Sequence, residues 1–127
     1  MTDTAGLQEP ENRLSPATAD RHRAIASLEE ELEAIDRYDQ RIDATKDAEL
    51  ASVLAHNRDE EKEHAAMLLE WLRRHDGVLD RDLRTYLFTS VAVTEIEAEA
   101  EGSGPGDSAA PGTSGTFGVG SLRGESL

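Results

Sequence analysis

Two long stretches of the chain repeat apolar side chains at alternating spacings of three and four residues, the pattern that an α-helix turns toward a partner helix. The first runs from about Asp20 to Ala44 and the second from about Ala48 to His75, and neither contains glycine or proline. The three residues between them, centred on Lys46, form a tight connection in which Asp47 is a candidate N-cap. Helices joined by so short a turn pack antiparallel. The pattern therefore predicts an all-α protein built on a two-helix antiparallel hairpin.

Both helices place polar side chains where this repeat is ordinarily apolar. The repeat positions are Ala24, Leu28, Glu31, Ile35, Tyr38 and Ile42 on the first helix, and Leu50, Leu54, Asn57, Glu61, His64, Leu68 and Trp71 on the second. A carboxylate taken out of water without a partner costs several kcal/mol, and a metal ion removes that cost. Glu31 lies 15 residues before Lys46 and Glu61 lies 15 after it, so antiparallel helices bring the two carboxylates level. Glu31, Glu61 and His64 are therefore candidate metal ligands.

One hairpin holds only half of a ferritin-like ligand set. Such di-iron centres take a Glu from each of two helices and a Glu-x-x-His pair from each of two others. This chain offers Glu31 on one helix and Glu61 with His64 on the other. Two chains around a two-fold axis supply the complete set, which predicts a homodimer that forms a four-helix bundle. The alternative is an ordinary solvated face, because all five residues from 59 to 63 are charged.

Other polar residues near the repeat keep two interpretations each. Tyr38 is either a core residue with a locally bonded hydroxyl or a neighbour of the metal site. Glu30 and Glu33 lie at the edge of the repeat, where they either attract cations or form acidic surface. Trp71 and Met67 are interpreted as packing residues. The histidines outside the repeat are interpreted as surface residues: His22, His56 and His75.

Composition excludes several classes of function. The chain has 127 residues and a net charge of −14, so nucleic acid and anionic membranes are poor partners. It has no cysteine, which excludes disulfides and thiolate metal sites and fits a cytoplasmic location. We expect no membrane span and no secretory signal. Because only 4% of the residues are aromatic, the core of one chain is small, and oligomerisation is the expected remedy.

The sequence divides into four segments. The helical half-bundle includes a shorter third helix from about Asp80 to Phe88, and Gly77 is expected to end the second helix in the left-handed conformation. No structure is assigned to residues 90–101. Apolar residues return only near the C-terminus, where Phe117, Val119 and Leu122 follow a stretch rich in Gly, Ser and Pro. The segments are a flexible arm (1–18), the half-bundle (19–90), an acidic and Gly/Ser/Pro-rich linker (91–115) and a tail (116–127).

Two long motifs resemble the encapsulated ferritins, ferritin-like proteins carried inside encapsulin nanocompartments. The motifs are EEELEAIDRYDQRID at residues 29–43 and LAHNRDEEKEHAAMLLEWLRR at residues 54–74, and the tail GVGSLRG is similar to the peptide that loads such cargo into the shell. The resemblance implies a ferroxidase that oxidises Fe(II) at a di-iron centre between two chains. It also implies a ring of dimers, typically a decamer, inside a cytoplasmic shell that stores the iron mineral and is contacted by residues 116–124.

The resemblance also implies roles for individual residues. Glu31, Glu61 and His64 match the iron ligands, with Glu61 bridging the two ions, and Tyr38 matches a residue beside the centre. Residues matching Glu30 and Glu33 are associated with metal access or secondary binding, where calcium is a second candidate ion. Arg37 stands where the family can have a tryptophan, which weakens the expectation of an access site.

Two further functions stay open at this point. One is a non-catalytic cargo or scaffold protein in which metal serves assembly alone. The other is a peroxide-consuming di-iron protein of the rubrerythrin kind. Iron-dependent oxygen consumption separates the ferroxidase from the scaffold, and oxidant preference separates it from the peroxidase.

Overall fold

Helices are the only regular elements in residues 6–102, the part of the chain that the computed structural model describes. A 3-10 helix at Glu11–Arg13 is followed by four α-helices, which confirms the all-α prediction. They are α1 (Pro16–Ala44), α2 (Ala48–Arg74), α3 (Gly77–Tyr86) and α4 (Val93–Gly102). The chain divides into two compact units, with α1 and α2 in the first and α3 and α4 in the second. None of the helices in this range is both long and apolar enough to cross a membrane.

The start of α1 lies inside the segment assigned to the flexible arm. Ser15 caps the helix by accepting a 3.1 Å hydrogen bond from the Thr18 backbone N–H. Pro16 occupies the first helical position, where its missing N–H leaves no bond unmade. The preceding 3-10 helix is tied to α1 by an ion pair between Glu11 and Arg23 at 3.9 Å. Because of these local bonds, α1 begins at Pro16, four residues before the start at Asp20 that the apolar periodicity had indicated.

The connection between α1 and α2 is the predicted tight turn. Asp47 caps α2 as expected: its Oδ1 accepts hydrogen bonds from the backbone N–H groups of Glu49 (2.9 Å) and Leu50 (3.1 Å). The Thr45 hydroxyl oxygen accepts a third bond from the Asp47 N–H at 3.1 Å. These three hydrogen bonds fix the position at which α2 begins relative to the end of α1. The turn therefore sets the register of the two helices, that is, which of their residues face each other.

The contact between α1 and α2 has a thin core. Among the described residues only three apolar side chains are buried: Ala24, Ala65 and Leu72. Larger apolar side chains of the hairpin stay about half exposed, namely Ile25, Leu32, Leu50, Val53 and Met67. An open, mainly apolar groove of about 460 Å³ also runs between the helices, lined by Leu28, Leu32, Ile35, Lys62, Ala65, Ala66 and Leu69. One hairpin thus leaves much of its apolar surface uncovered.

From the end of α2 onward, the structure differs from expectation in two places. His75 already ends α2, donating its N–H to the Leu72 carbonyl at 3.0 Å, so Gly77 begins α3 and has no positive φ. The left-handed residue is instead Phe88, at φ 62° and 94% exposed, just after α3 ends at Tyr86. Residues 93–102, within the segment assigned as a linker, form α4, because alanine and glutamate are strong helix formers. Residues 103–115 and the tail lie outside the described residues.

Candidate metal centre

Three side chains meet midway along the hairpin. Glu31 comes from α1, and Glu61 and His64 come from α2, where their three-residue spacing puts them on one side of the helix. Each offers one ligand atom, and these atoms all lie within 4.8 Å of one another. In the part of the chain that the structure describes, no other group of three such residues meets this spacing. The candidate ligands named from the sequence are therefore neighbours in the fold.

The imidazole of His64 stands at the open edge of this cluster. Its Nδ1 lies 3.4 Å from Glu61 Oε1 and 3.7 Å from Glu31 Oε1. The two carboxylate side chains are only 26% and 24% exposed, whereas His64 is 46% exposed. The repeat had indicated a covered position for His64. It is uncovered because a two-helix hairpin has no second pair of helices to close the face on which it lies.

Glu61 changes the pKa of the Glu31 carboxyl group. The main cause that raises the pKa of Glu31 above its ordinary value is the hydrogen bond that its protonated carboxyl group donates to Glu61, followed by burial and by the Glu61 charge. The neighbouring His64 opposes these effects in part. Carboxylates this close favour a proton between them, and a cation in the same place satisfies both. Two carboxylates and one imidazole form a donor set that suits Fe(II), with Mn(II) and Zn(II) as competitors.

The remaining residues named from the sequence are not part of the cluster. Tyr38 is half-buried two helical turns from Glu31, about 10 Å along the axis, and its ring lies 5.8 Å from the Arg41 guanidinium carbon. Glu30 and Glu33 are exposed, and Glu33 Oε1 lies 3.5 Å from Arg37 Nη2. Arg37 therefore pairs with one of the two residues that the resemblance associated with metal access.

Two other histidines, one on α2 and one at its C-cap, have partners of their own. His56 Nε2 lies 3.3 Å from Glu60 on the exposed side of the helix. The His75 ring stacks on Trp71, with centroids 3.8 Å apart, and its Nδ1 lies 2.8 Å from the Trp71 carbonyl oxygen. Neither imidazole belongs to a cluster of three candidate ligands, which distinguishes both from His64.

Sequence reasoning missed one residue close to the centre. Arg58, one helical turn before Glu61, reaches across to α1, where its Nη1 lies 2.9 Å from Asp39 Oδ1. The signal was its spacing of three residues from Glu61, which directs it toward the same neighbouring helix. It was hidden by the surrounding run of charged residues.

Comparison with known proteins identifies relatives of this chain by sequence and by fold. The sequence profile of the EncFtn-like family matches residues 6–90. The "Encapsulated ferritin-like protein" of Rhodospirillum rubrum is 57% identical over 122 residues, covering 92% of this chain and 87% of that protein. The "Ferritin-like protein" of Thermotoga maritima is 54% identical over 94 residues, covering 74% and 82%. The crystal structure of protein ne0167 from Nitrosomonas europaea superposes with a TM-score of 0.66 at 62% identity, covering 68% of this chain and 98% of that one.

Proposed function

The chain belongs to the EncFtn-like family, and on that premise we propose that it oxidises Fe(II) to Fe(III) at a centre shared by two copies of itself. The observation that carries the proposal is the cluster of Glu31, Glu61 and His64, whose ligand atoms lie within 4.8 Å of one another. Its donor set suits Fe(II), and it lies on the two longest helices of the fold. The family relationship, which includes a protein described as encapsulated and ferritin-like, supplies iron as the first ion to test.

A second copy is part of the proposal because one chain provides half of the ligands. The ferritin-like pattern has four glutamates and two histidines on four helices, and each copy contributes two helices, two glutamates and one histidine. The exposed edge at His64 leaves room for the second set. Exposed apolar side chains such as Leu50 and Val53 give two copies a surface to bury. A two-fold dimer, assembled further into a ring-shaped decamer, follows from the family resemblance.

Each ligand has a separate part in the reaction. Fe(II) is the substrate, and two ions bound side by side supply the two electrons that reduce one dioxygen to hydrogen peroxide, with two protons taken up. Glu31 and Glu61 would neutralise the charge of the ions, and the family resemblance assigns to Glu61 the role of bridging them. An ion that binds displaces the proton favoured between the carboxylates. His64 of each copy gives each ion one nitrogen ligand.

Oxygen consumption and ferric absorbance after addition of Fe(II) test the activity. Glu61→Ala and His64→Ala are expected to reduce both to the rate of the uncatalysed reaction while circular dichroism shows the helices intact. His56→Ala is the matched control, because it removes a histidine that pairs with a glutamate of the same helix outside the cluster. Normal oxidation by Glu61→Ala would remove the ferroxidase assignment. Faster turnover with hydrogen peroxide than with dioxygen would favour a peroxidase instead.

Mixed dimers test whether the centre is shared. A Glu31→Ala chain combined with a His64→Ala chain leaves every centre one carboxylate and one imidazole short. The expected oxidation rate lies well below that of the wild type. Forced heterodimers that oxidise Fe(II) at the wild-type rate would show that one chain is sufficient.

The C-terminal tail extends the proposal to an encapsulin shell. Residues 116–124 lie outside the described residues, and their proposed role is to dock the protein on the inner wall of the shell, as their likeness to a cargo-loading peptide implies. Three apolar side chains in a groove give one copy weak affinity, but a ring offers many copies to many grooves. Truncation after Gly115 should abolish co-purification with a co-expressed shell and leave oxidation unchanged. Continued encapsulation of the truncated protein would refute this role.

A further inference from the structure

Arg58 links the two helices of the hairpin beside the cluster of candidate metal ligands. Its Nη1 lies 2.9 Å from Asp39 Oδ1 on α1, and its Nε lies 3.2 Å from Asp59 Oδ1 on its own helix. The Arg58 side chain is only 25% exposed, although it carries a charge. Two hydrogen bonds raise the pKa of Arg58 above its ordinary value and so keep it charged; the bond to Asp39 has the larger effect and the bond to Asp59 the smaller. The guanidinium is thus held from both helices.

The core between α1 and α2 gives little else that fixes their register. Its buried side chains are two alanines and one leucine, and apolar contacts of this kind are not directional. A hydrogen-bonded ion pair is directional, and setting register is the best-supported use of such groups in helical packing. A second cross-helix bond, from Arg21 Nη1 to the His75 carbonyl at 3.4 Å, lies toward the other end of the hairpin. The cluster of candidate metal ligands lies between these two bonds.

The cluster itself works against a close approach of the helices. Glu31 and Glu61 are both partly buried, and two carboxylates at this separation repel each other whenever both are ionised. Arg58 lies one turn from Glu61, about 4.5 Å along the helix axis. A bond at that distance opposes both sliding and separation where the ligands meet. Metal ligands tolerate errors of only about 0.5 Å before affinity suffers.

We propose that Arg58 and Asp39 form a positioning clamp that holds α2 against α1 in the register in which Glu31, Glu61 and His64 share one ion. The clamp touches neither the ion nor dioxygen and acts through the ligands. The inference rests on the proposed metal function of the cluster.

Binding of Co(II) to the full-length protein tests the clamp without requiring oxidation. Titration calorimetry gives the affinity, and the visible absorption of bound Co(II) reports the geometry of its ligands. Arg58→Ala and Asp39→Ala are each expected to weaken Co(II) binding about 10-fold, the lower end of the effect of supporting partners on metal sites, and to alter the absorption bands. Arg74→Ala is the matched control, because its Nε bonds to Glu70 of the same helix at 2.6 Å and joins no two helices. It should change the affinity by less than about twofold.

A double-mutant cycle shows whether the two residues act together. If they form one clamp, the double alanine variant loses no more affinity than either single variant, and Arg58→Lys, which keeps the charge, recovers part of it. Equal loss in Arg74→Ala, additive losses in the cycle, or unchanged affinity in both single variants would overturn the clamp. Should Arg58→Ala lose helix content, Arg58→Lys and Asp39→Asn carry the same test, and wild-type affinity in both would overturn the clamp.

The outcomes separate the clamp from the ferroxidase assignment. Weakened Co(II) binding in the clamp variants of a protein that does not oxidise Fe(II) supports the clamp and refutes the activity. Rapid Fe(II) oxidation with Co(II) affinity unaffected by Arg58→Ala supports the activity and overturns the clamp. Absence of Co(II) binding by the wild type would overturn both.

Discussion

Replacing Glu61 with glutamine is expected to stabilise the metal-free protein and to abolish its response to metal. The ligand oxygens of Glu31 and Glu61 lie within 4.8 Å of each other. Two unit charges at that distance repel by about 1 kcal/mol in water and by about 3 kcal/mol at an effective dielectric constant of 20. Both side chains are about a quarter exposed, and a shared proton relieves part of the repulsion, so the lower figure applies. Glu61→Gln should therefore raise the free energy of unfolding by about 1 kcal/mol at neutral pH.

The stability that Glu61→Gln gains over the wild type should increase with pH. The pKa of Glu31 is raised in the folded protein, mainly by its hydrogen bond with Glu61, so the folded state holds a proton more tightly than the unfolded chain. The stability that this proton contributes is complete below the unfolded pKa, near 4.5, and is lost as pH rises through the higher folded value. Glutamine at this position removes the repulsion at every pH. Variant and wild type should therefore differ least near the unfolded pKa and most above the folded pKa.

Urea denaturation followed by circular dichroism, in EDTA and at one fixed protomer concentration, measures this difference. The control is Glu60→Gln, which removes an exposed carboxylate one residue away whose partner is His56, and it should not stabilise the protein. Anaerobic Fe(II) or Co(II) should raise the midpoint of the wild type, because an ion that binds only the folded state stabilises it, and should leave Glu61→Gln nearly unchanged. A Glu61→Gln protein less stable than the wild type in EDTA would refute the argument that these carboxylates repel.

Three further expectations concern other parts of the molecule. Arg73 and Arg74 lower the pKa of Glu70 to about 2, so Glu70→Gln should lower stability at pH 7 and make no difference once the pH has fallen below that value; an effect unchanged by acid would contradict this. Asp47→Ala should lower the free energy of unfolding by about 1 kcal/mol in thermal denaturation, because two N–H groups of α2 lose their acceptor, whereas a smaller effect than for an exposed mid-helix aspartate would argue against the cap. Native mass spectrometry should show smaller assemblies in EDTA and the ring in Fe(II), since a cation removes repulsion between carboxylates of facing copies, and a distribution unaffected by either would show that metal and assembly are not coupled.

The position of the candidate centre was predictable because it follows from periodicity and counting. Glu31 and Glu61 fall on the apolar repeat of two uninterrupted helices, each 15 residues from Lys46. The Asp47 cap is an equally local signal, since an aspartate before a helical pattern has few other uses. Repeat and turn together determine which residues face each other, and in the structure these side chains meet.

The features that the sequence did not predict depend on competing hydrogen bonds and on which surfaces are covered, and one sequence does not reveal either. Gly77 was expected to end α2, but His75 closes the helix with a bond to Leu72, and the left-handed residue is Phe88. The exposure of His64 depends on what covers that face, which a heptad repeat does not specify. Arg58 was overlooked because its neighbours in the sequence are also charged. In such a run, the sequence does not distinguish a residue that bonds to the other helix from one that points into solvent.

The equal arms of the hairpin make chain length, rather than composition, the critical quantity between residues 31 and 61. One inserted or deleted residue between a ligand and the turn rotates that ligand by about 100° and shifts it by about 1.5 Å, which breaks the pairing of Glu31 with Glu61. Insertions after Asp76, where the first unit ends, leave that pairing intact. In protein design, the centre is therefore transplantable only as a whole hairpin. Its ligands can be relocated together, by the same number of complete heptads on both arms, but never one at a time.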